Sequence, residues 1–550
     1  MQIIADIVLS SNTVFTGVED KPKKAMIAIK ENKIVAIGSE AEVASFINSE
    51  TKRYDFKDEL IMAGFNDFHI HLTVGCLTEH FANLSNATSE QEAVELLKNF
   101  YEEKGNGECD KNQWILGFNW HHVFWERPEL PHRSSLDEVY PNQPVCLLNS
   151  DLHGVWLNSK GLEVLGITHE TPDPPYGKII KDEDGNPTGV LDETAIRLAK
   201  SALNIPLEQH ACMFQGFLEK AAKYGVTSVG DMLYLPGFDI GYLENYEEFE
   251  KQGTLTVRID FLSALNGDLD YVKQLRDKYK SGKLKFSGLK QFLDGVPATY
   301  TAYLHGTYYD NPKTNGDTLI PPDVVKKWIT DADKAGFRVR LHACGDGAIR
   351  LALDSYDLAK KRNGSRDSRH TIEHVETVTT DDLDRFSELG VIASMQPDHI
   401  ALFKTFAENT YPSRLGPERA PYWPIKTLMD HGAYLAFGSD YPVVSLNPMY
   451  GVYRAVTRLH NDGEPKGGWF PEEKVSLADT LRAYTLGGAY GNFREAELGT
   501  LEVGKLADIV VLNQNLFNID PEEILNTEVK LTIVDGEVVY ERASKASLMG

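Results

Sequence analysis

The chain has 550 residues, 42% hydrophobic and 25% charged, with 44 Gly and 25 Pro, values that exclude a disordered, collagenous or coiled-coil protein. Its 56 Lys and Arg against 81 Asp and Glu leave a net charge of −25; a surface this acidic repels phosphate backbones and anionic lipid, so neither nucleic acid nor membrane is expected as a partner. The length fits two to four domains, the lower number if one is an α/β barrel, which absorbs about 250 residues by itself.

Residues 1–10 carry Asp6 and no basic stretch ahead of an apolar core, and nowhere does an apolar run reach the ~18 residues of a membrane span. A cytoplasmic protein is the expectation. The five cysteines include no Cys-x-x-Cys pair, which argues against a disulfide framework and a zinc ribbon. In chain order, short strand-like runs at 3–9, 24–30 and 33–38, broken by Glu31-Asn32, predict a small β-meander. From residue 61 onward strand-like runs alternate with longer helical patterns, the rhythm of a parallel sheet. Core strands are expected at 65–72, 226–232, 257–265, 289–293, 338–342, 370–374, 391–395 and 434–439, with helices at 208–224, 322–335, 348–361 and 476–484. Eight such strands fit a (β/α)8 barrel.

The gap between the first two strands is too long for one βα unit, so residues 77–215 are expected to form an inserted subdomain with structure of its own. Further strand-like runs at 509–512, 530–534 and 537–541, the last two joined by Asp535-Gly536, mirror the N-terminal meander. The organisation expected is a composite β-sandwich from residues 1–60 and 495–550 around a barrel of residues 61–494.

Several residues at strand ends could carry chemistry. In Asp67-Phe68-His69-Ile70-His71, alternate side chains share a strand face, so His69 and His71 present two imidazoles to one metal ion, and Asp67 is placed to accept a hydrogen bond from one of them. His342 and His374 fall at the C-terminal ends of their strands, where a barrel places its active site. Asp440 ends the apolar run of 434–439. Lys290 sits on a strand that reads as buried, a costly place for an amine unless it is paired or chemically modified.

In this order the motifs Ala63-Gly64-Phe65-Asn66-Asp67-Phe68-His69-Ile70-His71-Leu72, Leu289-Lys290-Gln291-Phe292-Leu293-Asp294-Gly295, His342-Ala343-Cys344-Gly345-Asp346, Thr371-Ile372-Glu373-His374 and Gly438-Ser439-Asp440 resemble the amidohydrolase superfamily over essentially the whole chain. Within it they are similar to the branch of YtcJ-like and N-substituted-formamide-deformylase-like hydrolases. Residues 498–509 resemble the segment by which such enzymes return to their β-sandwich. The resemblance implies that His69 and His71 bind one divalent ion, that His342 and His374 bind a second, and that Lys290, carboxylated by CO₂, bridges them. It also implies that Asp440 binds the first ion and carries the proton in hydrolysis by metal-activated hydroxide. Zinc suits the donor set, and manganese, cobalt and iron are compatible with it. If Lys290 stays an amine, pairing with Asp294 or another carboxylate and a mononuclear site are the alternative.

The same resemblance places residues 151–159 near the substrate, with His153 and Asn158 able to hydrogen-bond a carbonyl. Trp120, His121, Tyr300, Tyr303, Gln396 and His399 are further pocket candidates; an aromatic lining would suit a hydrophobic acyl or arylalkyl group. The expected substrate is a non-peptide amide: an N-acyl amine, an N-formyl amine or an N-acyl amino acid. Deamination of a cyclic amidine is an alternative. The family's deaminases, however, place a glutamate three residues after the strand-five histidine, where this chain has Gly345, and lack the lysine. Ester or lactone hydrolysis by the same site, and a metal-free regulatory or scaffold homologue, are the other readings. A homodimer is expected by analogy with such barrels.

Overall fold

The structure is a computed structural model that describes residues 3–103, 114–150, 153–203, 205, 207–232 and 243–543. Its central sheet has eight strands, β1 (Phe65–Ile70), β2 (Val226–Asp231), β3 (Arg258–Ala264), β4 (Leu284–Phe292), β5 (Val339–Ala343), β6 (Thr371–His374), β7 (Ile392–Met395) and β8 (Tyr434–Phe437). Each pairs in parallel with the next in chain order. Every residue of β1, β2, β5, β6 and β7 is buried, as expected where helices cover the outside of a parallel sheet and side chains fill the inside.

The barrel closes just beyond the strand ends. Asp440 N–H donates to the His69 carbonyl at 2.7 Å, and His71 N–H donates to the Tyr441 carbonyl at 2.7 Å. Gly438 permits this approach, because a Cβ there would lie 2.5 Å from His69 N. All eight expected strands are present. The largest difference is at β4, which begins at Leu284 rather than 289. Gly288, at φ +143°, falls where the register against β3 shifts, so the strand continues through a residue that reads as a terminus in sequence.

Helices Leu207–Lys223, Pro322–Lys334 and Asp346–Asn363 lie where periodicity placed them. Ser476 caps Leu477–Arg482 by accepting from Asp479 N–H at 3.1 Å, satisfying one of the amides a helix start leaves unpaired. The insertion builds a six-stranded sheet in the order Gly177–Lys181, Pro187–Glu193, Gly154–Leu157, Val145–Asn149, Ile115–Trp120, Ala82–Asn83. It has its own apolar cluster around Leu97, Trp120, Trp125 and Trp156. Helix Leu207–Lys223 runs through residue 215 and packs on the helix Leu72–His80 that follows β1.

The two ends of the chain meet in a third sheet. Leu60–Ala63 pairs with Ile7–Phe15 on one side and antiparallel with Ile509–Leu512 on the other, with Ile61 opposite Val511 and Ala63 opposite Ile509. Strands Lys23–Lys30, Lys33–Gly38, Val529–Val534 and Glu537–Glu541 extend it, and Lys52–Asp55 adds to Ile7–Phe15. Ile27, Ile29, Ile61, Ile509, Val511 and Ile533 share one buried cluster, so apolar alternation from both termini fills a single core. Buried Arg258 of β3 ties this sheet to the barrel through Asp508 and Asp535. Among the described residues no helix is long and apolar enough to cross a membrane.

Candidate metal centre

The predicted ligands converge at the C-terminal mouth of the barrel. His69 lies on β1 and His71 just after it, Lys290 on β4, His342 on β5, His374 at the end of β6, and Asp440 three residues past β8. Asp440 Oδ1 is 3.2 Å from His69 Nε2 and 3.3 Å from His71 Nε2, and its Oδ2 is 4.0 Å from His374 Nδ1. His69, His374 and Asp440 each offer a ligand atom within 4.8 Å of the others. Two of these residues hold unusual backbone conformations, Asp440 at φ +62° and His374 at φ +75°. A non-glycine residue there costs on the order of 1–3 kcal/mol, a cost met at sites the surroundings over-determine.

Whether these residues fit a cation can be judged from their unused polar atoms. His69 Nε2, Asp440 Oδ1, His399 Nε2 and Lys290 Nζ are buried without a hydrogen-bond partner among the described residues. Lone pairs and a carboxylate oxygen aimed at one point are the donor set that a divalent ion satisfies. The protonation states agree. Burial lowers His71 and holds His342 and His374 well below the usual imidazole range, and it lowers His399 to about 4; neutral imidazole is the form that ligates. For Asp440, burial pushes the carboxyl up, but His69, His71 and His374 outweigh it and hold the group well below the usual carboxylate range.

Lys290 is fully buried and close enough to His71, His342 and His374 for its charge to disfavour their protonation. It does not pair with Asp294. That carboxylate instead accepts backbone N–H bonds from Tyr303, Cys344 and Gly345 at 3.0, 3.1 and 2.9 Å, which anchors the loop leading into helix Asp346–Asn363. Burial therefore acts on Lys290 with no hydrogen-bonded carboxylate to offset it and lowers it to about 8. His342 turns Nε2 toward the Gly295 carbonyl at 3.2 Å and the Cys344 thiol at 3.4 Å. A histidine that donates from Nε2 leaves Nδ1 as its ligating atom. Its ring stands 4.4 Å from that of His374.

The imidazole partner expected at Asp67 is Glu373 instead. Glu373 Oε2 lies 2.7 Å from His69 Nδ1, and its other oxygen takes Arg340 Nε. Asp67 accepts Ser439 N–H at 2.8 Å, because closure of the barrel brings the backbone of the segment after β8 over its carboxylate. Burial pushes Asp67 up to about 7.

A pocket opens from this cluster, lined by His71, His121, His153, His342, His374, His399 and Asp440, by Cys344 and Glu376, and by Phe292, Val296, Ala298, Leu402, Phe403, Tyr411 and Val443. Of the substrate candidates, His121, His153 and His399 face it. His153 is held by Glu193 at 2.9 Å, and its ring lies 5.7 Å from that of His342, tilted by 54°; Asp151 and Leu152 lie outside the described residues. His399 Nε2 lies 3.7 Å from Asp440 Oδ2.

The other candidates do not line the pocket. Asn158 caps helix Ser159–Leu165, accepting Gly161 N–H at 2.8 Å and Val145 N–H at 2.9 Å while donating to the Tyr140 and Gln143 carbonyls. Trp120 packs in the insertion core and donates to the Leu147 carbonyl at 2.8 Å. Tyr300 sits under the Arg414 guanidinium, 4.0 Å from its ring centre, beside Asp310. Tyr303 uses its backbone on Asp294. Gln396 immediately precedes the short helix Pro397–Ala401 and is buried, its side-chain amide without a hydrogen-bond partner among the described residues. Each is polar or aromatic near a strand end, the local signal that suggested a pocket role, but the contacts of Asn158, Trp120, Tyr300 and Tyr303 are made elsewhere. Conversely Cys344, Glu373 and Glu376 lie inside the quoted motifs or next to them; Cys344 and Glu376 follow His342 and His374 by two residues, whereas Glu373, adjacent to His374, carries no such signal.

Residues 53–540 match the Amidohydrolase family. The chain belongs to the amidohydrolase family. This amidohydrolase is 31% identical to Protein LONG AFTER FAR-RED 3 of Arabidopsis thaliana, over 98% of its own length and 92% of the relative's. It is 27% identical to the putative amidohydrolase YtcJ of Bacillus subtilis, over 96% and 98%, and 26% identical to an N-substituted formamide deformylase of Arthrobacter pascens, over 94% and 95%. Its fold is also that of an uncharacterized metal-dependent hydrolase from Pyrococcus horikoshii, with a TM-score of 0.74 at 24% identity, covering 94% of this amidohydrolase and 99% of that chain. Membership makes the chain a hydrolase acting on carbon–nitrogen bonds.

Proposed function

We propose that the protein hydrolyses a non-peptide amide, an N-formyl or N-acyl amine, with His69, His71, His342, His374 and Asp440 holding divalent metal, zinc by donor preference. The observation that carries the reading is Asp440. One buried carboxylate contacts His69 and His71 and also borders the pocket, so it can take a proton from water and hand it to the departing amine. Bound at this site, a divalent ion supplies Lewis acidity toward a carbonyl oxygen and brings the pKa of water to about 7. Carboxylation of Lys290 belongs to this proposal: its amine adds to CO₂ and loses a proton, leaving a carbamate whose oxygens reach the histidines. A buried amine without a hydrogen-bonded acid, lowered to about 8, keeps the neutral fraction that this addition requires. His121 and His153, from the insertion, also border the pocket and would supply polar contacts to the acyl carbonyl. The deformylase relative makes N-formyl amines the first compounds to try.

The deciding experiment is a screen of N-formyl amines, N-acyl amines and lactones against metal-reconstituted protein, read as amine or acid release. Amine release from a formamide or acylamide, abolished by chelator, is the expected result. Turnover of lactones alone, or ammonia release from cyclic amidines, would overturn it.

A further inference from the structure

One carboxylate on the pocket wall has no part in the reaction as described. Glu376, two residues beyond His374, is only 2% exposed and borders the pocket beside Phe292, Leu402, Phe403 and Val443. Its Oε2 accepts the Tyr411 hydroxyl at 2.8 Å, and Cys344 is its other side-chain partner. No Lys or Arg pairs with it among the described residues.

Two neighbouring buried acids have a cation, Glu373 with Arg340 and Asp398 with Arg454. Asp294 and Asp231, which have none, are held by backbone N–H groups, three on Asp294 and that of Leu72 on Asp231; Glu376 has neither among the hydrogen bonds of the described residues. An acid buried against apolar walls without a cation is costly to keep ionised. That cost is relieved if the counter-charge arrives with the ligand, and a polar anchor in a mostly apolar pocket is how such sites choose among ligands.

We propose that Glu376 is the counter-ion for a cationic nitrogen group on the substrate, an ammonium, amidinium or guanidinium, whose hydrocarbon stem lies along Phe292, Leu402, Phe403 and Val443. The substrate class is then an amide that carries a second, positively charged nitrogen. This deepens the amide-hydrolase reading and rests on it for the pocket being the substrate site. In the charge balance, the ligand brings the positive charge and Glu376 the negative one.

The test is binding, so that it stands whether or not any amide is turned over. Benzylguanidinium and its neutral counterpart benzylurea are titrated calorimetrically into the metal-loaded protein and into Glu376→Gln. The guanidinium keeps its charge and offers no free lone pair to a metal ion. We expect the wild type to prefer the cation on the order of tenfold or more, Glu376→Gln to reduce that ratio to about one, and Glu376→Asp to retain a preference. Equal affinity for the pair in the wild type, or the same ratio in Glu376→Gln, overturns the proposal. Loss of metal from Glu376→Gln overturns it as well, since the carboxylate would then serve the ions. Should Glu376→Gln fail to fold, Tyr411→Phe decides: without the hydroxyl the preference for the cation should rise several-fold, and an unchanged or lower ratio overturns the proposal. A failed amide screen beside a normal binding ratio would sink the amide-hydrolase reading alone.

Discussion

His69 Nδ1 lies 2.7 Å from Glu373 Oε2, a contact that crosses the barrel interior from the first strand to the sixth. Because Glu373 also receives Arg340, it is held as a carboxylate: burial pushes it up, but Arg340, His69 and Lys290 hold it well below the usual range. An anionic acceptor draws a His69 proton to Nδ1, which leaves Nε2 as the ring atom facing Asp440. The arrangement sets both the tautomer and the ring orientation.

Glu373→Gln should therefore weaken metal binding by roughly 10–100-fold, read by chelator competition. It should also cost about 3–5 kcal/mol in denaturant unfolding, because Arg340 is left buried without its anion. Wild-type metal affinity in a destabilised variant would show that Glu373 serves only the fold.

Asp440→Asn removes the proposed proton carrier and keeps an oxygen near His69 and His71. Metal content should stay close to wild type while turnover falls by about 10²–10⁴-fold. Measuring both on one preparation separates the roles; turnover near wild type would exclude Asp440 as the proton carrier.

Lys290→Met keeps an unbranched stem in the buried site and deletes the amine. The variant should fold, bind fewer ions per chain and lose most of its activity. Wild-type protein reconstituted without bicarbonate should show the same lowered stoichiometry until bicarbonate is restored. Full metal loading of Lys290→Met would remove the bridging carbamate from the site.

Asn158→Ala tests a residue that resembles a substrate ligand in sequence and serves as an anchor in the fold. It leaves the Val145 and Gly161 amides without their acceptor, and about 2–4 kcal/mol of stability should be lost. KM should be unchanged, and a raised KM at wild-type stability would return Asn158 to the pocket.

Much of the barrel was legible because its strands are short apolar runs between turn residues, and because the candidate ligands His69, His71, His342, His374 and Asp440 lie at or just beyond the ends of four of them. Local pattern was enough where the role is local. It was not enough at Trp120, Tyr300 and Asn158, which carry the same local signal as His153 but make their contacts away from the pocket. What separates them is direction: Trp120 faces the core of the insertion and Asn158 its backbone, whereas His153 is turned onto the His342 ring by Glu193.

The sequence by itself determined the strand order, the union of the two chain ends in one sheet and the residue types available at the mouth of the barrel, because alternation, turn chemistry and side-chain pKa are properties of short segments. Only the tertiary structure decided that Glu373 rather than Asp67 holds His69, that Lys290 lacks an acid partner, and that Glu376 borders the pocket without a cation. Those facts depend on which strands become neighbours when the barrel closes through Asp440 and His69, and on burial, which sets the cost of each charge by what stands opposite it.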